Sequence, residues 1–116
     1  MKRGDVYWAE LAPRSGSEQS GVRPVVVISD DGFNLAPGWN SIIVIPLTTA
    51  QAQGRRGPTV VAIPSDLAGL TRDSFAICHQ ITTLDRAKLT KRLGTLPTAF
   101  MREIEQAIAA ALDLNF

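Results

Sequence analysis

Apolar residues recur along this chain with two different periods. From residue 6 to residue 96 they fall in short β-type runs, and beyond residue 97 they recur at helical spacing. Residues 6–11 (VYWAEL) are aromatic and β-branched enough for a strand that ends before Pro13. Residues 14–21 (RSGSEQSG) read as a long polar loop. Residues 25–28 form an unbroken aliphatic run between Pro24 and the turn signal Ser29-Asp30-Asp31-Gly32, which predicts a strand buried on both faces. Residues 42–47 predict a third strand, and Pro46 suggests an edge or a bulge there. Residues 60–63, between Pro58 and Pro64, predict a fourth. Residues 74–81 predict a fifth, with Phe75, Ile77 and Ile81 on one face, and residues 89–96 a weaker sixth.

Helical signals are local until the end of the chain. Ser65-Asp66-Leu67-Ala68-Gly69 reads as a capped single turn closed by glycine, and residues 85–89 as another short turn. Phe100, Ile104, Ala107, Ile108, Ala111 and Leu112 then lie on one helical face, with Arg102, Glu103, Glu105 and Gln106 opposite. Either Thr98 caps this amphipathic helix or Pro97 sits in its first turn. The sum is a mainly β, α+β fold: a small antiparallel sheet curled into a barrel, with one C-terminal helix packed on it. With no repeat and no dividing linker, residues 1–116 read as a single domain.

Composition narrows the function classes. Hydrophobic residues at 45% and charged residues at 20% exclude a disordered chain. No apolar run approaches the roughly 20 residues of a membrane span, so no membrane partner is expected. The start, Met1-Lys2-Arg3-Gly4-Asp5, lacks a signal-peptide apolar stretch, which predicts a cytoplasmic protein. One cysteine, Cys78, and one histidine, His79, exclude an intrachain disulfide framework and a multi-cysteine zinc site. No metal and no other cofactor is expected. The net charge of +1 is not that of a nucleic-acid binder by itself, and the basic run Arg86, Lys88, Lys91 and Arg92 reads as a solvated face.

No phosphate-cradling loop, dinucleotide fingerprint, HExxH or G-x-S-x-G signature is present. Cys78 and His79 are adjacent, so in a strand they point to opposite faces and cannot form a dyad. Three segments carry chemistry. Arg23 stands where the polar loop, with Ser17, Glu18 and Gln19, enters the aliphatic strand; its guanidinium either holds a phosphate or pairs with a local acid such as Glu18. Thr48 and Thr49 place hydroxyls at a strand end, suited to a phosphate oxygen or to a turn. Arg72-Asp73-Ser74 precedes a strand on which period-two counting puts Ser74, Cys78, Gln80 and Thr82 on one face. That face suits either base-edge reading or solvent.

In order and spacing these segments resemble the MazF/PemK family of toxin endoribonucleases over nearly the whole chain. The resemblance starts at Arg3-Gly4-Asp5-Val6-Tyr7-Trp8. It continues through the Gly-Ser-Glu-Gln loop, Arg23-Pro24, Pro46-Leu47-Thr48-Thr49, Arg72-Asp73-Ser74, Gln80-Ile81 and Thr83-Leu84-Asp85 to the closing helix. It implies an SH3-like barrel, a homodimer, and sequence-selective, metal-independent cleavage of single-stranded RNA such as mRNA. It also implies a small MazE-like antitoxin whose acidic, disordered tail covers the RNA site. Arg23 and Thr48 match the family's catalytic arginine and threonine. Ser17, Glu18 and Gln19 match its RNA-holding loop, and Gln80 matches a residue of the substrate groove. Thr49, Ser74 and His79 complete the expected substrate contacts. His79 stands where relatives often carry Asp or Glu, and Thr82 where a basic residue is frequent; both departures bear on the RNA sequence recognised.

The residue chemistry is compatible with that reaction, because RNA supplies its own nucleophile in the 2′-hydroxyl. A catalyst must take that proton, stabilise the phosphorane charge and protonate the 5′-oxygen. Arg23 suits the last two tasks, and Thr48 suits a non-bridging oxygen. Glu18, His79 and the substrate itself stay open as the base. The competing reading is a protein-binding toxin of the same fold, like the CcdB gyrase poisons. Those end in Trp-Gly-Ile, whereas this chain ends Asp113-Leu114-Asn115-Phe116 and keeps Arg23 and Thr48.

Overall fold

A computed structural model of the protein describes residues 1–11, 16, 21–52 and 57–115. Seven antiparallel strands run β1 (Asp5–Glu10), β2 (Val22–Val27), β3 (Ser41–Thr48), β4 (Val60–Ile63), β5 (Ser74–Ile77), β6 (Thr82–Asp85) and β7 (Leu89–Thr95). A four-residue helix α1 (Asp31–Asn34) follows β2, and α2 (Thr98–Leu112) closes the chain. The strand order is β4-β5-β3-β2-β1-β7, with β6 on β3.

β3 is the hub, and Pro46 explains how. The first half of β3 pairs with β6, from Ser41↔Asp85 to Val44↔Thr82. Its end pairs with β5, at Leu47↔Ala76 and Thr48↔Phe75. Pro46 lies between the two ladders, where a missing N–H costs no pairing on that side. The edge position that Pro46 suggested is therefore corrected: the strand is central, and the proline marks a change of partner.

The predicted fifth strand is also shorter. β5 ends at Ile77, opposite Val60 at the start of β4. The Gln80 N–H then donates to the Ile77 carbonyl, and the Cys78 N–H to that of Thr59. The chain turns at Cys78-His79 and re-enters the sheet as β6. A single face shared by Ser74, Cys78, Gln80 and Thr82 does not exist. Nor does His79 lie among Phe75, Ile77 and Ile81; it is exposed in the turn.

Apolar side chains fill both sides of the sheet. Val26, Ile45, Leu47, Ile63 and Ala76 pack with Ile104 and Ala107 of α2. Val25, Val27, Ile42 and Val44 pack with Leu84 and Leu89 on the other side. This double cover is why Val25, Val26 and Val27 are all fully buried, as the unbroken run predicted. Helix α2 buries Met101, Ile104 and Ala107. Its buried stripe starts at Met101 rather than Phe100 and ends at Ala107, earlier than the sequence suggested, and Leu112 is 54% exposed. Pro97 precedes the first turn and accepts from the Phe100 and Met101 N–H groups; Thr98 is already helical. α1, absent from the sequence reading, is capped by Asp30, whose carboxylate accepts from the Gly32 N–H.

Among the described residues no ladder joins β4 to β7, so the curled sheet is not closed by hydrogen bonds. Backbone contact spans the gap instead. A Cβ on Gly69 would sit 2.1 Å from the Leu93 carbonyl oxygen, and one on Gly94 2.6 Å from the Ala68 carbonyl carbon. Residues 65–70 are not the helical turn expected. Asp66, Ala68 and Gly69 all have positive φ, and the Asp66 N–H donates to the Leu70 carbonyl. This turn holds residues 70–72 against the sheet beside β2 and the end of β3.

Candidate active site

A cleft of about 340 Å³ opens at that seam. That volume suits one small-molecule moiety such as a nucleotide. Arg23, second residue of β2, enters it from a strand paired to β1 at Ala9↔Arg23. Thr48 enters from the last position of β3 and is 4% exposed. Its Oγ1 accepts from the Ala50 N–H at 3.2 Å, which fixes the side chain. The Thr48 hydroxyl proton keeps no acceptor among the described residues, so the group is an oriented donor. Thr49 lines the cleft beside it.

Arg72 and Ser74 come from the approach to β5. Ser74 is 3% exposed, and its Oγ donates to the Arg72 carbonyl at 3.0 Å. That bond ties the Arg72 backbone to the sheet while its side chain stays exposed. Leu47, Leu70, Leu93 and Pro24 supply apolar walls. Among the described residues no carboxylate lines the cleft. Two guanidiniums, the hydroxyls of Thr48, Thr49, Thr71 and Ser74, and apolar walls make an anion-binding arrangement in which hydrogen bonds strengthen as water is displaced.

Three expected contacts thus converge with Arg23: Thr48, Thr49 and Ser74 line the same cleft, and Arg72, which was not among the expected contacts, joins them. His79 and Gln80 do not. They follow the far end of β5, a four-residue strand and so roughly 10 Å from Ser74. The His79 Nδ1 lies 2.8 Å from the Thr59 Oγ1, a hydrogen bond that ties the β5 turn to the start of β4. Gln80 is half-buried. Cys78 is fully buried, and burial pushes its thiol up to about 12. The Cys-His dyad is absent, although a turn rather than a strand separates the two groups. Ser17, Glu18 and Gln19 lie outside the described residues.

Sequence reasoning missed Trp8 and, as a site residue, Arg72. Trp8 lines the cleft and is 37% exposed. Within β1 it alternates in step with the buried Val6, so the strand pattern alone did not mark it as exposed. Trp39 is the opposite case. Its indole N–H donates to the Ser41 carbonyl at 2.7 Å, and its ring lies 5.0 Å from that of Phe33. It packs on its own domain.

Two further observations bear on the cleft. Among the described residues no helix is long and apolar enough to cross a membrane. Among the described residues no three His, Cys, Asp or Glu side chains converge as metal ligands.

The chain is 40% identical over 114 residues to the endoribonuclease EndoA of Bacillus subtilis, covering 98% of this chain and 96% of that protein. It is 37% identical over 115 residues to the endoribonuclease MazF of Staphylococcus saprophyticus, covering 99% and 93%. A solved structure described as an endoribonuclease in complex with its cognate antitoxin, from a mycobacterial species, superposes with a TM-score of 0.79. It is 28% identical and covers 100% of this chain and 98% of that one. The model of the PemK-like, MazF-like toxins matches residues 2–112. The chain with the Arg23–Thr48 cleft therefore belongs to the PemK-like, MazF-like toxins of type II toxin–antitoxin systems.

Proposed function

We propose that the protein is an endoribonuclease toxin that cleaves single-stranded RNA, mRNA included, at selected sequences and without a metal. The observation that carries this reading is the convergence of Arg23 with the oriented donor Thr48 in a cleft without a described carboxylate. The names of its relatives point the same way. The RNA 2′-oxygen attacks the adjacent phosphorus, and the bond from phosphorus to the 5′-oxygen breaks. The 2′-proton passes to a base, and the leaving 5′-oxygen takes up a proton. Arg23 offsets the phosphorane charge and donates towards the leaving oxygen; Thr48 donates to a non-bridging oxygen. Glu18 or the substrate accepts the 2′-proton, since free arginine stays protonated. The products carry a 2′,3′-cyclic phosphate and a 5′-hydroxyl. His79 and Gln80, beyond the reacting pair, contact bases rather than the reacting phosphate.

The same cations suit an acidic antitoxin segment laid across the cleft, and a solved relative is named as bound to its cognate antitoxin. Exposed Phe33 and Leu35 support a homodimer. The reading covers the whole chain as one cytoplasmic domain. It is tested by incubating purified protein with a long RNA in excess EDTA and mapping the cuts by primer extension. Discrete, sequence-dependent cuts are expected. Loss of cutting in EDTA with rescue by magnesium overturns the metal-free mechanism. Intact RNA under all conditions favours the gyrase-poison reading.

A further inference from the structure

We infer that Trp8 and Lys91 form a flanking-nucleotide subsite, in which one RNA base stacks on the Trp8 indole and the neighbouring phosphate meets the Lys91 ammonium. This rests on the RNA-cleaving reading and adds to it where the substrate continues beyond the reacting phosphate.

Trp8 belongs to the central part of β1, held between two strands. Its cross-strand partners are Pro24 on β2 and Lys91 on β7. Directly opposed residues share a face of the sheet, so Lys91, Trp8 and Pro24 form a row. Pro24 and Trp8 line the cleft that holds Arg23 and Thr48, and Lys91 lies exposed one strand further out. With adjacent strands roughly 4.8 Å apart, the row from Pro24 to Lys91 spans roughly 10 Å, room for one nucleobase over the indole. The Thr90 hydroxyl donates to the Trp8 carbonyl at 3.3 Å and pins the backbone beneath it.

The two tryptophans show why the indole is a platform and not a packing residue. Trp39 has a ring partner in Phe33 and an acceptor in the Ser41 carbonyl, and its own carbonyl accepts from the Arg86 Nε and Nη2 at 3.0 and 2.8 Å. Among the described residues Trp8 has neither a ring partner nor an acceptor for its indole N–H, yet it sits on paired sheet. An aromatic face of this kind, next to a cation and continuous with a phosphate site, suits a single-stranded base of any identity. Stacking here adds affinity without dictating sequence.

The test uses full-length protein and a short RNA made uncleavable by a single 2′-deoxy sugar at the mapped cut. Binding is read by fluorescence anisotropy and cleavage by steady-state kinetics on the all-ribo RNA. Trp8→Leu keeps apolar packing and removes the aromatic plane. It is expected to weaken binding roughly 5- to 150-fold, the range set by a lost base stack, with the loss in KM rather than kcat. Trp8→Phe is expected to recover most of it. In a Trp39→Phe background the remaining Trp8 fluorescence is expected to quench saturably as RNA binds. Lys91→Gln is expected to flatten the salt dependence by about 0.7 in log–log slope, one single-strand phosphate contact. Native affinity and KM in folded Trp8→Leu, with unquenched Trp8, overturn the subsite while leaving cleavage standing. Saturable quenching by RNA that the wild-type protein never cuts retains the subsite and overturns the nuclease reading instead.

Discussion

Two grooves on this molecule carry arginines, and they use them in opposite ways. The larger, about 520 Å³, includes Lys2, Arg3 and Arg92, and it also includes Asp5 and Asp31. Arg92 Nε lies 3.4 Å from Asp5, and Arg3 Nη1 lies 3.0 Å from Glu105 on α2. The Thr95 hydroxyl donates to the Asp5 Oδ1 at 2.7 Å, and the Lys2 N–H to its Oδ2 at 2.9 Å. Burial alone raises the Asp5 carboxyl, but the bonds from Thr95, Lys2 and Arg92 outweigh it and hold the group below its ordinary value. Asp31 is held down by the Arg3 N–H and by Asn34. Here Arg3, Arg92, Asp5 and Asp31 each have a partner inside the chain, and the result is a clamp joining the N-terminus, β7 and α2. The smaller cleft sets Arg23 and Arg72 beside the hydroxyls of Thr48, Thr49, Thr71 and Ser74, and among the described residues no carboxylate lines it. Size does not distinguish a site from a clamp; the side chains answering the cations do.

Substitution of the two arginines separates the grooves most sharply. Arg23→Ala is expected to lower cleavage by ~10²–10³, the cost of a lost transition-state donor, with thermal stability unchanged. Arg92→Ala, half-exposed in its clamp, is expected to leave kcat near native and cost about 1 kcal/mol or less in a urea melt. A folded Arg23→Ala protein with native activity erases the distinction. Thr48→Ala is expected to lose less activity than Arg23→Ala in the same assay, because it removes one neutral donor.

The clamp also has a pH signature. A carboxyl whose folded value is depressed contributes stability that is present above its unfolded value and lost as pH falls through the folded one. Asp5→Asn is therefore expected to cost stability near neutral pH and little well below 3.8, the ordinary carboxylate value. Melts of both proteins across that range check it, and a pH-independent difference removes Asp5 from the charge network. The smallest expected change is at His79. His79→Glu is expected to shift the preferred cut sequence while the rate holds, because Arg23 and Thr48 remain. Unchanged sites and rate assign His79 to its bond with Thr59. Inactivity of the folded variant makes it a proton carrier.

What was legible in the sequence follows the same physics. The strand β2 and the helix α2 were readable because their patterns are long and locally consistent: an unbroken Val-rich run, and apolar residues at helical spacing. Pro46 misled because a proline reports only a missing donor. It took three ladders to show that β3 needs none on one side there. The break after Ile77 was invisible because β5 ends opposite Val60, where its partner β4 begins, a tertiary fact, while Ile81 beyond it continues the alternating apolar pattern of Phe75 and Ile77. Arg23 and Thr48 were legible as strand-end chemistry beside loops. Trp8 was not, since within one strand an outward aromatic looks like any β-former. Its role depends on Pro24 and Lys91 lying opposite, on strands 16 and 83 positions away in the chain.

The central claim is that the cleft lets RNA cut itself through its own 2′-oxygen. Replacing one 2′-hydroxyl by hydrogen at the mapped cut, in an otherwise unaltered RNA and in excess EDTA, tests it directly. The expected result is complete loss of cutting at that bond, with all-ribo RNA yielding cyclic-phosphate and 5′-hydroxyl ends. Cutting at the deoxy position, or products with 5′-phosphate ends, would contradict it.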